Sequence, residues 1–434
     1  SMAPTNSIWG NPAALKEAID SKGESLKQGF ALLQKDMAQK RISMSDDEAF
    51  EVGKNLAVTS GAVVYRNPLI ELIQYSPTSK KVYQTPLLIV PPCINKFYIL
   101  DMQPENSFVR HAVEQGHTVF IVSWRNIPAE LGKLTWDDYL ASGVLQAIDV
   151  VKSITAQKQI NALGFCVGGT LLAAALAVLA AREQDSSVAS ATFLTTLLDF
   201  SEPGEIGAYL SENMLKAREQ GLMNGERLRG QELADVFASL RANDLVWSFV
   251  VNSYLQGKKP KAFDLLYWNG DSTNLPGPMY VYYLRHFYLQ NLLCQPNKLK
   301  MLGEDIDLAM LAMPKYVVAS REDHIVPWKS AFASAQSFGD DTLTFVVGGS
   351  GHIAGIVNPP AKKARGYVTG DFAASPEAEG WEAETTQHEG SWWPHWYEWL
   401  AQHSGKQVAA RVPGAQEKFP VLCAAPGTYV LEKS

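Results

Sequence analysis

The 434-residue sequence sets 38 Lys plus Arg against 45 Asp plus Glu, a formal charge of −7, and so lacks the basic excess that a nucleic-acid footprint requires. With 46% hydrophobic and 19% charged residues it has the composition of a globular protein with a large buried core. Four scattered cysteines, Cys93, Cys166, Cys294 and Cys423, form no CxxC pair, which argues against structural zinc and a secreted disulfide framework and favours a reducing compartment.

Ser1-Met2 reads as the scar of a cleaved tag, and no basic segment followed by an apolar one marks export. Over 11–46, Leu15, Ile19, Leu26, Phe30 and Leu33 recur at helical spacing, which predicts one or two amphipathic helices in a peripheral arm spanning 1–60. Residues 62–65 and 69–75 flank Arg66-Asn67-Pro68 and read as a hairpin at a sheet edge. Continuous apolar runs then begin at 87–90, 118–124, 160–165, 191–198, 316–319 and 343–347, the pattern of parallel strands buried on both faces. Helical stretches at 106–115, 136–154, 169–182 and 329–337 fall between most of them, which gives a doubly wound, mostly parallel α/β sheet. Between 198 and 316 the rhythm breaks, so 200–311 reads as a large cap inserted into a core of 61–199 and 312–434. Trp392, Trp393, Trp396 and Trp399 belong to a terminal helix over 391–403 that starts near Pro394. The longest nearly apolar run, 171–181, is about half the ~18–20 residues of a membrane span, and a soluble protein is expected.

The most informative stretch is Asn161-Ala162-Leu163-Gly164-Phe165-Cys166-Val167-Gly168-Gly169-Thr170, which follows a strand and opens an apolar helix. It has the G-x-nucleophile-x-G form of a nucleophile elbow with cysteine in the serine position. Gly164 and Gly168 would remove Cβ atoms that collide with so tight a turn, and the helix N-terminus would favour a thiolate and an oxyanion. Downstream, the strand 316–319 leads into Ser320-Arg321-Glu322-Asp323-His324, and the strand 343–347 leads into Gly348-Gly349-Ser350-Gly351-His352. The order Cys166, Asp323, His352 is that of α/β-hydrolase triads. Glu322 and Asp199 are the alternative acids, with Asp199 better suited to orienting the cap. His324 is read as a structural or supporting group. His111, His117 and His286, and the cluster His388, His395 and His403, are assigned packing or surface roles. The oxyanion donors are expected to be the N–H groups of Val167 and of Ile94, which lies in the loop Val90-Pro91-Pro92-Cys93-Ile94-Asn95-Lys96 after the first core strand. Cys93 is left as a spectator, and no metal is expected.

A thiol nucleophile exchanges one thioester for another at little energetic cost, so it favours acyl transfer over hydrolysis. His352 would take the proton from Cys166 and then activate an acceptor hydroxyl, with Asp323 holding the imidazole tautomer. Retaining the acyl group requires excluding water, for which Phe263, Tyr267, Trp268, Tyr280, Tyr282, Tyr283, Phe287 and Tyr288 of the cap are suited.

The elbow, the Pro91–Tyr98 stretch, Ser123-Trp124-Arg125-Asn126, Tyr267-Trp268-Asn269-Gly270-Asp271-Ser272-Thr273-Asn274, Glu322-Asp323-His324-Ile325-Val326-Pro327 and Gly351-His352 together resemble the polyhydroxyalkanoate synthases, most closely the class I enzymes. The resemblance runs from about Ala62 to the C-terminus. It implies polymerisation of (R)-3-hydroxyacyl groups from coenzyme A thioesters, with release of coenzyme A and no cofactor, on Cys166, Asp323 and His352. It also implies a cytoplasmic homodimer joined through the cap and attached to polymer granules. Class I members usually carry a further N-terminal region, and this chain is expected to begin after most of it. The alternative is a cysteine hydrolase of the dienelactone-hydrolase kind, which shares the elbow; a third reading is a granule-binding scaffold with a vestigial site.

Overall fold

The computed structural model describes residues 4–39, 46–240, 250–258 and 264–434. Helices α1 (Pro12–Asp20) and α2 (Glu24–Gln39) lie where the helical spacing predicts helices, and α2 rests on the 250–257 segment, with the Tyr254 hydroxyl donating to Asp36 at 2.6 Å. The Asn11 side chain caps α1 by accepting from the Ala14 amide, and Pro12 starts the helix where its missing N–H costs nothing. Strands β1 (Gly61–Arg66) and β2 (Ile70–Tyr75) pair antiparallel, with the Asn67 side chain accepting from the Leu69 and Ile70 amides to hold the turn.

After β3 (Lys81–Tyr83) the alternating units begin with β4 (Leu87–Val90), α3 (Phe108–Glu114) and β5 (Val119–Trp124). The helix expected over 136–154 is a rod of three parts: α4 (Trp136–Asp138), a π-helical stretch Tyr139–Leu145, and α5 (Gln146–Thr155). Then come β6 (Ile160–Phe165), α6 (Val167–Ala181) and β7 (Val188–Leu194). The strand expected over 191–198 therefore stops at Leu194. Thr195 takes a φ of 41° and gives its amide to the Val318 carbonyl at 2.8 Å, which turns the chain out of the ladder. Thr196, Leu197 and Leu198 stay buried as irregular backbone, so their apolarity reflects burial and not strand pairing.

The excursion that follows carries α7 (Glu212–Met223), α8 (Gly230–Leu240), α9 (Asp264–Gly270), α10 (Gly277–Tyr282) and the two-residue strands β8 (Lys300–Met301) and β9 (Glu304–Asp305). The chain rejoins the sheet with β10 (Lys315–Ser320), α11 (Trp328–Gln336) and β11 (Thr344–Gly348), and ends in β12 (Tyr367–Gly370), α12 (Ala378–Ala383), β13 (Thr386–His388), α13 (Trp393–Ala401), β14 (Gln407–Ala409) and β15 (Cys423–Ala424).

Among the described residues, eleven strands form one sheet in the order β13-β12-β11-β10-β7-β6-β4-β5-β2-β1-β15. The six from β11 to β5 are parallel to their neighbours and the strands outside them are antiparallel. Along β4, Leu88 and Val90 join the core cluster beneath α6, while Leu87 and Ile89 join the one that holds α3 and α13. Both faces of each parallel strand are thus apolar, which is why the runs read as continuous. No described helix is long and apolar enough to cross a membrane.

Candidate active site

The elbow is built as its glycines require. Cys166 sits between β6 and α6 with φ 55° and ψ −128°, a conformation that non-glycine residues rarely adopt. A Cβ on Gly164 would lie 2.4 Å from the Gly169 Cα, and one on Gly168 would lie 2.2 Å from the Val90 carbonyl oxygen and 2.5 Å from that of Pro91. These contacts are with backbone, which cannot swing aside. Gly168 therefore lets the first turn of α6 lie directly against the loop after β4.

Asp323 and His352 reach the elbow from neighbouring strand ends. Beyond β10 and β11 the two loops stay joined by backbone hydrogen bonds, Arg321 N–H to Gly348 at 2.9 Å and Glu322 N–H to Ser350 at 2.9 Å. The buried Asp323 carboxylate accepts from the Ile325 and Val326 amides through one oxygen, at 2.8 and 2.9 Å. Its other oxygen lies 2.6 Å from His352 Nδ1. The imidazole stacks on Phe165, with ring centroids 5.6 Å apart. Burial alone would lower the pKa of His352; the charges of Asp323 and Cys166, and hydrogen bonding to both, override it and push the ring up to about 10. Cys166 and His352 line one cavity of about 280 Å³, whose walls include Pro92, Ile94, Phe165 and Trp268.

Burial pushes the Cys93 thiol far up, raises Cys294 to about 11 and raises Cys423, all of which disfavour a thiolate. Among the described residues neither the Val167 nor the Ile94 N–H has a hydrogen-bond partner, and Val167 is the first residue of α6. The Ile94 carbonyl is engaged, accepting from the Thr273 amide at 3.0 Å.

The alternative residues make other contacts. Glu322 lines the cavity but is exposed, with its backbone N–H donating to Ser350. Asp199 accepts from the Asn291 side chain at 3.1 Å and so ties the sheet end to the excursion. His324 also lines the cavity, half exposed, 3.6 Å from Glu205. His111 lies against Trp393 and Tyr397 and His117 against Tyr83 and Tyr397; burial lowers both, His117 to about 4. His286 faces Gln290, His388 faces the Thr369 hydroxyl, His395 faces the Tyr316 hydroxyl, and His403 packs on Trp399.

The expected aromatic cover is shared between the cavity and the core. Trp268 lines the cavity, but Tyr282, Tyr283 and Phe287 pack on Trp136, and Tyr288 packs on Phe200. Tyr282 and Phe287 form core within the excursion, whereas Tyr283 and Tyr288, also packed there, lie close enough to Cys166 for its charge to add to burial in raising their hydroxyls. Tyr280 packs at the edge of the same core cluster, Tyr267 packs against the opposite one, and Phe263 lies outside the described residues.

The sequence reading missed what steadies the histidine loop. The Trp392 and Trp393 indoles donate to the carbonyls of Gly355 and Ile356, at 2.9 and 2.8 Å, just after His352. Four closely spaced tryptophans were the available signal, but indole partners are not written in sequence.

A model of the "Poly-beta-hydroxybutyrate polymerase (PhaC) N-terminus" matches residues 1–112 and one of the "alpha/beta hydrolase fold" matches 86–359. The likeness thus begins well ahead of Ala62. The poly(3-hydroxyalkanoate) polymerase subunit PhaC of Cupriavidus necator is 51% identical over 439 aligned residues, covering 100% of this chain and 74% of the relative. The poly(3-hydroxyalkanoate) polymerase of Methylorubrum extorquens is 43% identical over 437, covering 100% and 71%. Among solved structures, the monoacylglycerol lipase of Paleococcus ferrophilus aligns with a TM-score of 0.43 at 12% identity, over 77% of this chain and 99% of that one. On its identity to these relatives and its match to both models, the chain belongs to the poly(3-hydroxyalkanoate) polymerases, enzymes of α/β-hydrolase fold.

Proposed function

We propose that the chain polymerises (R)-3-hydroxyacyl groups supplied as coenzyme A thioesters, through acyl groups held on Cys166. The observation that carries the reading is the presence of Cys166 and His352 in one cavity, with the buried Asp323 carboxylate 2.6 Å from the far side of the imidazole and the ring pushed up to about 10. With its proton held on His352, the Cys166 thiolate attacks the thioester carbonyl. The bond to the coenzyme A sulfur breaks, and the departing thiolate takes the proton from His352. The neutral imidazole then removes the proton of a 3-hydroxyl as its oxygen attacks the acyl group on Cys166; an ester forms and the electron pair returns to sulfur. The amides of Val167 and Ile94 are suited to receive the oxyanion in both steps. The cycle calls on no cofactor, coenzyme A being a product.

The full-length similarity to polymerases gives no support to a dienelactone-hydrolase reading. A homodimer joined through the excursion, on granules of its product, fits the same assignment, and exposed Tyr209, Met214 and Met223 offer apolar surface there. Incubation with (R)-3-hydroxybutyryl-CoA should yield free coenzyme A together with polyester; coenzyme A released with free hydroxyacid and no polymer would overturn the proposal.

A further inference from the structure

The mechanism above makes no use of Lys96, yet its ammonium is almost wholly buried, with 2% of the residue exposed. A buried amine is costly unless its donors are met, and burial lowers the pKa of this one while Asp271 and Glu432 oppose that. Its partners are two backbone carbonyls of the final segment, Val430 at 3.1 Å and Glu432. On the other side of that segment the fully buried Glu71 accepts from the Thr428 and Tyr429 amides at 2.9 and 2.6 Å. One short turn, Tyr429–Leu431, is thus seated between a buried anion that meets its N–H groups and a buried cation that meets its carbonyls.

Lys96 is two residues from Ile94. Its own carbonyl accepts from the Trp268 indole at 2.8 Å, and Trp268 lines the cavity. Asp271 in the same stretch of the excursion accepts from the Tyr98 hydroxyl at 2.7 Å and lies 3.4 Å from Lys433. The cavity loop, the excursion and the final segment therefore meet at this one residue, the excursion through its carbonyl and the final segment through its ammonium.

We infer that Lys96 is a positioning residue, which locks the loop carrying Ile94 to the final segment and so fixes the second oxyanion donor against Cys166. The inference rests on the oxyanion role assigned to Ile94. A donor present in the wrong place serves substrate binding almost as well but serves the transition state poorly. Lys96→Met keeps the stem and removes the donors. It should lower kcat by roughly tenfold to a hundredfold with KM within about twofold, while alkylation of Cys166 by iodoacetamide proceeds at the parent rate. Lys96→Arg, which restores donors to carbonyls, should recover part of the loss. If Lys96→Met lowers the melting temperature but keeps the parent kcat, or slows alkylation in step with kcat, the inference is overturned.

Glu432→Gly loosens the same carbonyl from the far side and keeps the test decisive should Lys96→Met fail to fold. In the Glu432→Gly variant, amide hydrogen exchange across 91–98 should quicken by about an order of magnitude, with that of the β6–α6 elbow unchanged. Unchanged exchange across 91–98 overturns the inference. This readout needs no turnover, so it separates failure of the clamp from failure of the polymerase assignment, which would appear as a parent chain that makes no polymer.

Discussion

Replacing Asp323 by Asn tests the site most directly, because the structure specifies what each atom of the new side chain would do. The oxygen that accepts from Ile325 and Val326 can be kept, which places the amide nitrogen 2.6 Å from His352 Nδ1. That nitrogen is a donor, so Nδ1 must become an acceptor and the proton moves to the ring nitrogen that should face sulfur and substrate. Two effects follow in one direction. The tautomer is wrong for a base, and with the carboxylate charge gone burial pulls the ring's pKa down from about 10. A wrong tautomer in such a triad costs ~10³–10⁴ in kcat, or about 4–5.5 kcal/mol of transition-state stabilisation. Coenzyme A release from (R)-3-hydroxybutyryl-CoA, followed with a thiol reagent, measures the loss, and far-UV circular dichroism checks that the fold is kept. Glu322→Gln is the matched control: that carboxylate is exposed and bonds to no imidazole, so turnover should stay within about threefold. An Asp323→Asn variant within tenfold of the parent, or a Glu322→Gln variant that falls with it, would refute the assignment of the acid.

Gly168→Ala drives a methyl group against two carbonyl oxygens and should push the start of α6 away from the loop after β4; a loss of ~1–3 kcal/mol in urea unfolding is expected, with kcat falling further than KM rises. Cys166→Ala removes one of the two charges that raise His352, so the ring's pKa should fall from about 10, as followed by NMR of the imidazole C–H resonances; an unchanged value would mean the sulfur is not its neighbour. Because His352 titrates higher when folded than its ordinary 6.5, its contribution to stability is complete below about 6.5 and is lost as pH rises through about 10. The stability advantage of the parent over His352→Gln should therefore shrink across that window in pH-dependent urea melts. Cys93→Ala should leave turnover near the parent level, since burial holds that thiol neutral and no imidazole adjoins it; loss of turnover to the extent of Cys166→Ala would reverse the choice of nucleophile.

The parallel strands and the elbow were legible because each has a local cause: a strand buried on both faces must be apolar throughout, and a cysteine at φ 55° in so tight a turn needs the glycines that flank it. Asp323 and His352 were legible from order along the chain, each following one of two adjacent parallel strands, β10 and β11, on the same side of the elbow strand. The edge strands β12, β13, β14 and β15 were not. They hold two to four residues, are partly exposed and mix polar with apolar positions, so they lack the periodicity that identifies longer strands. Which aromatic residues of the excursion face the cavity and which face core was not legible for a related reason: composition gives their number but not which side of a helix meets core. Lys96 was invisible because its partners are backbone carbonyls more than three hundred residues away, and a carbonyl has no letter in the sequence.

A base with a pKa near 10 is poorly matched to abstracting a hydroxyl proton at neutral pH, yet that value belongs only to the resting site, where carboxylate and sulfur both raise it. In the cycle proposed above, an acyl group on Cys166 would leave the sulfur neutral and remove one of the two charges, while burial would continue to pull the ring down. His352 would then be a better-matched base for the acceptor hydroxyl. The arrangement needs no movement of the histidine loop, which the indoles of Trp392 and Trp393 hold at Gly355 and Ile356. A serine in place of Cys166 would forgo this coupling, since an alkoxide is too unstable to rest beside the imidazole and could not raise it between turnovers. On the proposed cycle, cysteine would supply two things at once: a leaving group for the growing ester, and a charge that switches off when the acyl group is loaded.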